Sequence, residues 1–227
     1  MNPIAIFYHA IFTGGSTPIA TEHACHIGCE LMIAIRQSGL AAEVSSFIMG
    51  VNGPDEDLYL AKLFTGNAKY FAHGAGATTE IPTLRILHEW AITHPGHYVL
   101  YLHTKGASRP ALPLWTNWRR CMAMACVWRW RQCVQDLDAG ADAVGCHWLT
   151  PERHGDMIKR PYFAGTFWWA KSEFLATLPP LPPAEWKNRF VAESWIGLGP
   201  VLPKIIDYHP VSHWYAGNWD CSARFAP

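Results

Sequence analysis

The sequence predicts a single α/β domain, a mostly parallel central sheet flanked by helices. Three observations carry the prediction. Apolar, β-branched and aromatic runs of strand length alternate with segments whose apolar residues recur at helical spacing. The chain has 227 residues, 50% hydrophobic and 16% charged, enough to bury one sizeable core and too apolar for disorder. No internal repeat is present, and the PPLPP run at 179–183 is too short to link domains, so residues 1–227 read as one unit.

The elements follow in order. Pro3 to Ala10 (PIAIFYHA) has the composition of a buried strand, and Phe12 to Pro18 follows as a Gly-rich loop. Over residues 20–38, Ala24, Ile27, Leu31, Ala34 and Ile35 form a helical stripe closed by Gly39. Ala42 to Gly50 is strand-like; a turn (NGPDED) and a short helix through Leu58, Leu60 and Phe64 come next, then a third strand, KYFAH, at 69–73. Ile81 to Thr93 is helical and HPGH breaks it. Tyr98 to His103 (YVLYLH) is the clearest strand, and one long helix is expected from Leu114 to Leu137. Asp142 to Trp148 and PYFAGTFWWA read as two more strands; in the second, Phe163, Gly165, Phe167 and Trp169 would share one face and Thr166 and Trp168 the other. Helices are expected over Lys171 to Leu178, stopped by proline, and over Asn188 to Leu198. Strand–helix alternation of this kind places ligands at the carboxyl ends of the strands, where the FTGGS loop and the His103-Thr104-Lys105-Gly106 segment both lie.

Charge narrows the partners. Eighteen cations balance eighteen acids, which excludes an overall field for duplex nucleic acid. The balance is uneven: residues 90–135 hold no Asp or Glu, yet they carry Lys105, Arg109, Arg119, Arg120, Arg129 and Arg131. That points to an anionic small ligand, or else to a solvated helix face. No apolar run is long enough to cross a bilayer, and the first residues lack the basic start of a signal peptide. Seven cysteines, an odd number set in apolar patterns, read as free thiols of a cytoplasmic protein. Twelve tryptophans suit either a core or a carbohydrate-handling surface, because sugar C–H faces pack on indole.

The candidate site residues come from these patterns. Gly14, Gly15 and Ser16 let backbone N–H groups approach a phosphate or base, although a plain tight turn reads equally well. Lys105, just past a buried strand and followed by Gly106, is placed to neutralise a phosphate, with His103, Thr104, Arg109 and Arg119 around it. Glu193 lies in an otherwise apolar helix, RFVAESWIG, where desolvation would raise its proton affinity toward that of a general base; pairing with Arg189 is the competing reading. The His23/His26 and His94/His97 pairs lack the further ligands of a metal site, and none is predicted. Asp55-Glu56-Asp57 reads as a turn and helix cap.

The motifs YLHTKG, DAVGCHW, FAGTFWWA and RFVAESWIG, in this order, resemble those of small bacterial and viral glycosyltransferase-like proteins. They are also similar to the rhamnan-synthesis type of polysaccharide protein. The resemblance spans roughly residues 3–215. It implies a GT-A-like fold, a nucleotide-sugar donor and transfer to the hydroxyl of a glycan or small-molecule acceptor. Such folds usually hold a divalent metal through an Asp-x-Asp motif; here His103-x-Lys105 stands in the corresponding place, so no cofactor is expected. The resemblance further implies Glu193 as catalytic base, Lys105 on the leaving diphosphate, and Trp168, Trp169 and His213 on the acceptor side. A carbohydrate-binding protein that kept the fold without the chemistry, and a metal-dependent hydrolase, are the other readings.

Overall fold

In the computed structural model, strand β1 (Ile4–Ile11) is buried almost throughout and is flanked in parallel by β2 (Val44–Asn52) and β4 (Tyr98–His103). Strand β3 (Lys69–Ala72) extends the sheet beyond β2. Beyond β4 comes β8 (Trp168–Lys171), antiparallel to β4 and to β5 (Ala143–Gly145), and β9 (Ile205–Asp207) pairs in parallel with β5. The order is β3-β2-β1-β4-β8-β5-β9. A separate antiparallel pair joins β6 (Trp148–Leu149) to β7 (Tyr162–Phe163). The structure describes residues 2–11, 18–53, 62, 68–73, 79–107, 113–183 and 188–210.

Alternation along the strands sends side chains to two cores. Ile6, Tyr8 and Leu100 pack beneath α1 (Pro18–Gln37), α3 (Pro113–Ala123) and α4 (Trp130–Asp138), together with Leu31, Met122, Trp130 and Trp169. Phe7, Val99 and Tyr101 face the opposite way, onto α2 (Ile81–Thr93), α6 (Ser172–Ala176) and α7 (Arg189–Ser194), with Leu84, Trp168 and Trp195. A short helix α5 (Pro151–His154) is capped by Thr150, whose hydroxyl accepts from the Arg153 amide. The α/β class and the mostly parallel sheet agree with the sequence. Among the described residues no helix is long and apolar enough to cross a membrane.

Three local expectations fail, each for a visible reason. The helix expected over 114–137 is interrupted by a π-helical turn at Met124–Trp128. Side-chain donors claim backbone carbonyls there: the Trp169 indole donates to Cys126 O at 2.7 Å and the Cys133 thiol to Ala125 O at 3.3 Å. The PYFAGTFWWA segment is two strands rather than one. Gly165 (φ 92°) and Thr166 (φ 60°) break it, so Phe163 lies in the second core while Phe167 and Trp169 lie in the first. The 142–148 segment likewise splits at His147 (φ 65°), a left-handed conformation that a Cβ-bearing residue adopts only under constraint. A fourth expectation fails in its chemistry: Cys121 is disulfide-bonded, whereas Cys25, Cys29, Cys126, Cys133 and Cys146 are free thiols.

Gly50 shows how closely the second face is packed. A Cβ there would lie 2.0 Å from Thr83 Oγ1 and 2.4 Å from His73 Nε2. Thr83 is fixed between two histidines and cannot withdraw without losing its hydrogen bonds. Gly50→Ala is therefore expected to destabilise by roughly 1–3 kcal/mol, read as a lower urea midpoint with an unchanged slope.

Candidate functional site

The chain runs outward from β1 to β2 and β3, then returns to β4 on the other side of β1. Strand order reverses at the β1/β4 junction, the place beyond the carboxyl ends where open α/β sheets bind ligands. The two strand ends are laced together. His9 and His103 are register partners, the Thr104 amide donates to His9 O at 3.1 Å, and the Ile11 amide donates to Thr104 Oγ1 at 3.0 Å. Thr104 is thus a structural clamp between the two strand ends, and Lys105 is the residue that follows it.

Lys105 Nζ lies over the Trp118 ring, 4.3 Å from its centroid. The charge reaches widely: it favours the ionised form of Glu80 and disfavours the protonated forms of His103 and His147. Arg119 is buried and committed elsewhere. Its guanidinium bonds Glu30 at 2.7 Å and donates to the Lys105 carbonyl at 3.3 Å, so it holds the Lys105 segment in place. Burial would raise the Glu30 pKa, but the bonds from Arg120 and Arg119 hold it below the usual carboxylate value. Arg131 stacks over Trp130 and Arg129 over Tyr208. Of the acid-free segment's described cations, then, the arginines brace helices and Lys105 stands at the strand end.

On the α2 side a row of buried polar groups lines the strand ends. His9 Nδ1 contacts Thr83 Oγ1 at 2.7 Å, and His73 Nε2 contacts the same oxygen at 3.0 Å. The hydroxyl has a single hydrogen, so at most one ring accepts from it and at least one ring donates to its oxygen. Asn52 donates to Thr79 O at 3.0 Å. Tyr101 Oη donates to Glu80 Oε2 at 2.9 Å, and Glu80 Oε1 lies 3.4 Å from His103 Nδ1. Desolvation pushes the Glu80 carboxyl up to about 7 and holds His103 down at about 3 and His73 at about 4. Glu193, on α7 and half-buried, favours the protonated form of His103, which puts its charge beside the same strand end.

The opposite wall is built on His147. Its amide and that of Trp148 donate to Asp207 Oδ1 and Oδ2 at 2.8 and 2.9 Å, and the His209 amide donates to Oδ1 at 3.1 Å. One carboxylate thus supports the left-handed turn. The Trp118 indole donates to His147 Nδ1 at 3.2 Å.

The residues singled out from sequence are spread over three settings. His103, Thr104 and Lys105 lie at the end of β4, and Glu193, on α7, acts on His103 through its charge. Trp169 is core, its indole spent on Cys126 O; Trp168 is equally buried and stacks on Tyr101, 5.0 Å between centroids. Neither indole presents an open face for a sugar. Gly14, Gly15, Ser16, Arg109 and His213 lie outside the described residues, as does Asp55-Glu56-Asp57. Sequence reading passed over His9, His73, Tyr101, His147 and Asp207. One signal was there: the strand-like runs at 3–10, 69–73, 98–103 and 142–148 each carry a histidine at or next to the carboxyl end.

Two places bring together side chains that bear on metal binding. At His103-x-Lys105 the imidazole Nε2 bonds Gly165 O at 2.7 Å, Nδ1 faces Glu80, and a lysine stands beside them; this is no donor set for a cation. Cys121, His147 and His209 bring three donor atoms within 4.8 Å of one another, all buried, which makes the trio a possible metal site by geometry. Its chemistry runs the other way in this state. A disulfide sulfur is not a thiolate, and the indole bond to His147 Nδ1 leaves the ring proton on Nε2, which points at Cys121.

Comparison with solved structures gives distant likenesses. A candidate nucleotide-diphospho-sugar transferase from Desulfovibrio desulfuricans G20 is 10% identical, with a TM-score of 0.45, over 94% of this chain and 84% of that one. CMP:2-keto-3-deoxy-manno-octonic acid synthetase complexed with CTP is 12% identical, with a TM-score of 0.44, over 92% and 91%. The manganese complex of Rv0371C from Mycobacterium tuberculosis H37Rv is 12% identical, with a TM-score of 0.40, over 99% and 97%. Likeness this remote fixes no residue or ligand of the present site. No curated protein matches the chain. One family does, over residues 8–202, which include Glu80, His103, Lys105 and Glu193: the chain belongs to the DUF8361 family, described as a domain of unknown function.

Proposed function

We propose that this protein is a glycosyltransferase of GT-A-like fold that moves a sugar from a nucleoside-diphosphate donor to an acceptor hydroxyl. What supports it is Lys105 just past the carboxyl end of β4, where α/β sheets bind ligands, with the charge of Glu193 felt at His103 on the same strand. The donor diphosphate would rest against Lys105, with backbone N–H groups of Gly14, Gly15 and Ser16 and the side chain of Arg109 as further partners. When the bond between anomeric carbon and diphosphate oxygen breaks, negative charge grows on the leaving oxygen. A fixed, partly buried cation stabilises that charge more than water does. Glu193 would accept the proton of the acceptor hydroxyl as it attacks. Arg119 acts by holding the Lys105 segment. Trp168 stiffens Tyr101 from behind, and acceptor contact falls to other groups, with His213 among those proposed.

Incubation with a panel of nucleotide sugars tests this, with release of free nucleoside diphosphate as the readout. One donor is expected to be consumed. At about a hundredfold its Kd the same donor would stabilise the protein by about 2.7 kcal/mol, a rise of about 5–10 °C in Tm. Neither turnover nor a shift with any member of the panel would remove the proposal. Because a lysine and an engaged histidine stand where acidic metal ligands would be needed, turnover is expected to survive EDTA. Loss in EDTA with recovery in manganese or magnesium would contradict that point.

A further inference from the structure

Glu80, at the start of α2, lies in a chain of contacts that is complete only with one particular proton in place. Its carboxyl is 14% exposed and the His103 ring 13%. The carbonyl of Gly165 can only accept, so the 2.7 Å bond makes His103 Nε2 the donor. Glu80 Oε1 lies 3.4 Å from Nδ1, so one proton between them completes the contact; burial disfavours an imidazolium–carboxylate pair, which leaves the ring neutral with a lone pair at Nδ1. Two lone pairs facing each other in a nearly dry place repel, whereas a proton on Oε1 turns the contact into a donated hydrogen bond. The other carboxyl oxygen is already served by Tyr101 Oη at 2.9 Å. The chain therefore runs Tyr101 to Glu80, Glu80 to His103 and His103 to Gly165, each group donating to the next. It joins α2, β4 and the turn at Gly165 and Thr166, where both residues hold positive φ.

We propose that Glu80 is a positioning residue held as a neutral carboxylic acid, which fixes His103 in one tautomer and, through it, the Gly165–Thr166 turn and the strand end that presents Lys105. The charged and titratable groups facing the pair are Tyr101 on β4, Lys105 beyond it, His9 on β1 and Glu193 on α7. Lys105 favours the ionised acid and burial the neutral one; burial wins, which agrees with the geometry. The sign follows. Below about 7 the carboxyl keeps its proton and the chain is whole. As pH rises through that value the proton is lost while His103 stays neutral, and the Glu80–His103 link turns repulsive.

Glutamine imitates the neutral acid: its N–H₂ can donate to Nδ1 and its carbonyl can accept from Tyr101. The test follows the ring nitrogens of His103 by ¹⁵N NMR between about pH 5 and 9 in the parent, Glu80→Gln and Glu80→Leu proteins. The parent is expected to show an unprotonated Nδ1 and protonated Nε2 at the acid end, with a step in the Nδ1 resonance centred near 7. In Glu80→Gln the tautomer should persist and the step vanish. In Glu80→Leu the Gly165 bond still favours a protonated Nε2, the step should be absent as well, and Nδ1 should lose the shift that comes from accepting a hydrogen bond. A parent resonance without the step, or a Glu80→Gln protein that keeps it, overturns the proposal.

The link to Lys105 rests on the nucleotide-sugar reading and has its own measurement. Affinity for uridine, guanosine and thymidine diphosphates is expected to fall several-fold above pH 7 in the parent and to stay level in Glu80→Gln. Parallel pH profiles in the two proteins would overturn that link. If none of the three binds at any pH, the functional reading fails, and the His103 resonance still decides the role of Glu80.

Discussion

Glu193→Gln is expected to lower turnover by about 10²–10⁴-fold while leaving donor affinity within a few-fold of the parent, because a positioned general base contributes on that scale. Glutamine keeps the shape and most of the hydrogen bonding of glutamate, so folding should be nearly unchanged. The helix does not depend on this side chain for its start: Asn188 caps it, accepting from the Phe190 amide at 3.1 Å. Single-turnover kinetics with the cognate donor separate loss of chemistry from loss of binding. Turnover within a few-fold of the parent would return Glu193 to a surface role. Asp142 could not replace it: it sits at the amino end of β5, where it accepts from the Lys204 amide at 2.8 Å, on the wrong edge of the sheet. Glu80 would then be the next carboxylate to test.

Asp207→Ala should produce the largest loss of stability among the site's supporting residues, roughly 3–5 kcal/mol. Burial raises the carboxyl's pKa, and bonds from the amides of Trp148, His209 and His147 oppose that rise. Removing it strands three backbone donors and the constraint that keeps His147 at φ 65°. Asp207→Asn retains one carbonyl acceptor and should lose about half as much. Urea denaturation of the three proteins gives the comparison directly; an Asp207→Ala midpoint equal to the parent's would mean that the turn is held by packing alone.

The fold was legible because its signals are local and repeated. Each buried strand is a continuous apolar run, and each core helix carries its stripe, so the alternation survives errors of two or three residues at any one end. The failures share a cause. The π-turn at Met124–Trp128 exists because an indole forty-three residues away takes the Cys126 carbonyl. The breaks at His147 and Gly165 are set by Asp207 and by packing on Met122, whose sulfur a Cβ at Gly165 would approach to 2.3 Å. Period and propensity contain none of these distant contacts. The same holds for the site. Lys105 was readable as a cation after a buried strand in an acid-free segment. Glu80 was not, because its setting depends on Tyr101 and His103 meeting it from another element. The tryptophans read two ways, as core or as sugar platform, and composition alone could not choose; the sheet uses Trp168 and Trp169 as core.

The measurement that bears most directly on the central claim is titration calorimetry of nucleoside diphosphates, in chelator, against the parent protein and Lys105→Ala. A charge-assisted bond to phosphate is worth roughly 1.5–3 kcal/mol. The account therefore predicts that one nucleoside diphosphate binds the parent without metal and binds Lys105→Ala about ten- to a hundredfold more weakly. Equal affinities in the two proteins, or no binding to the parent by any nucleoside diphosphate, would contradict it.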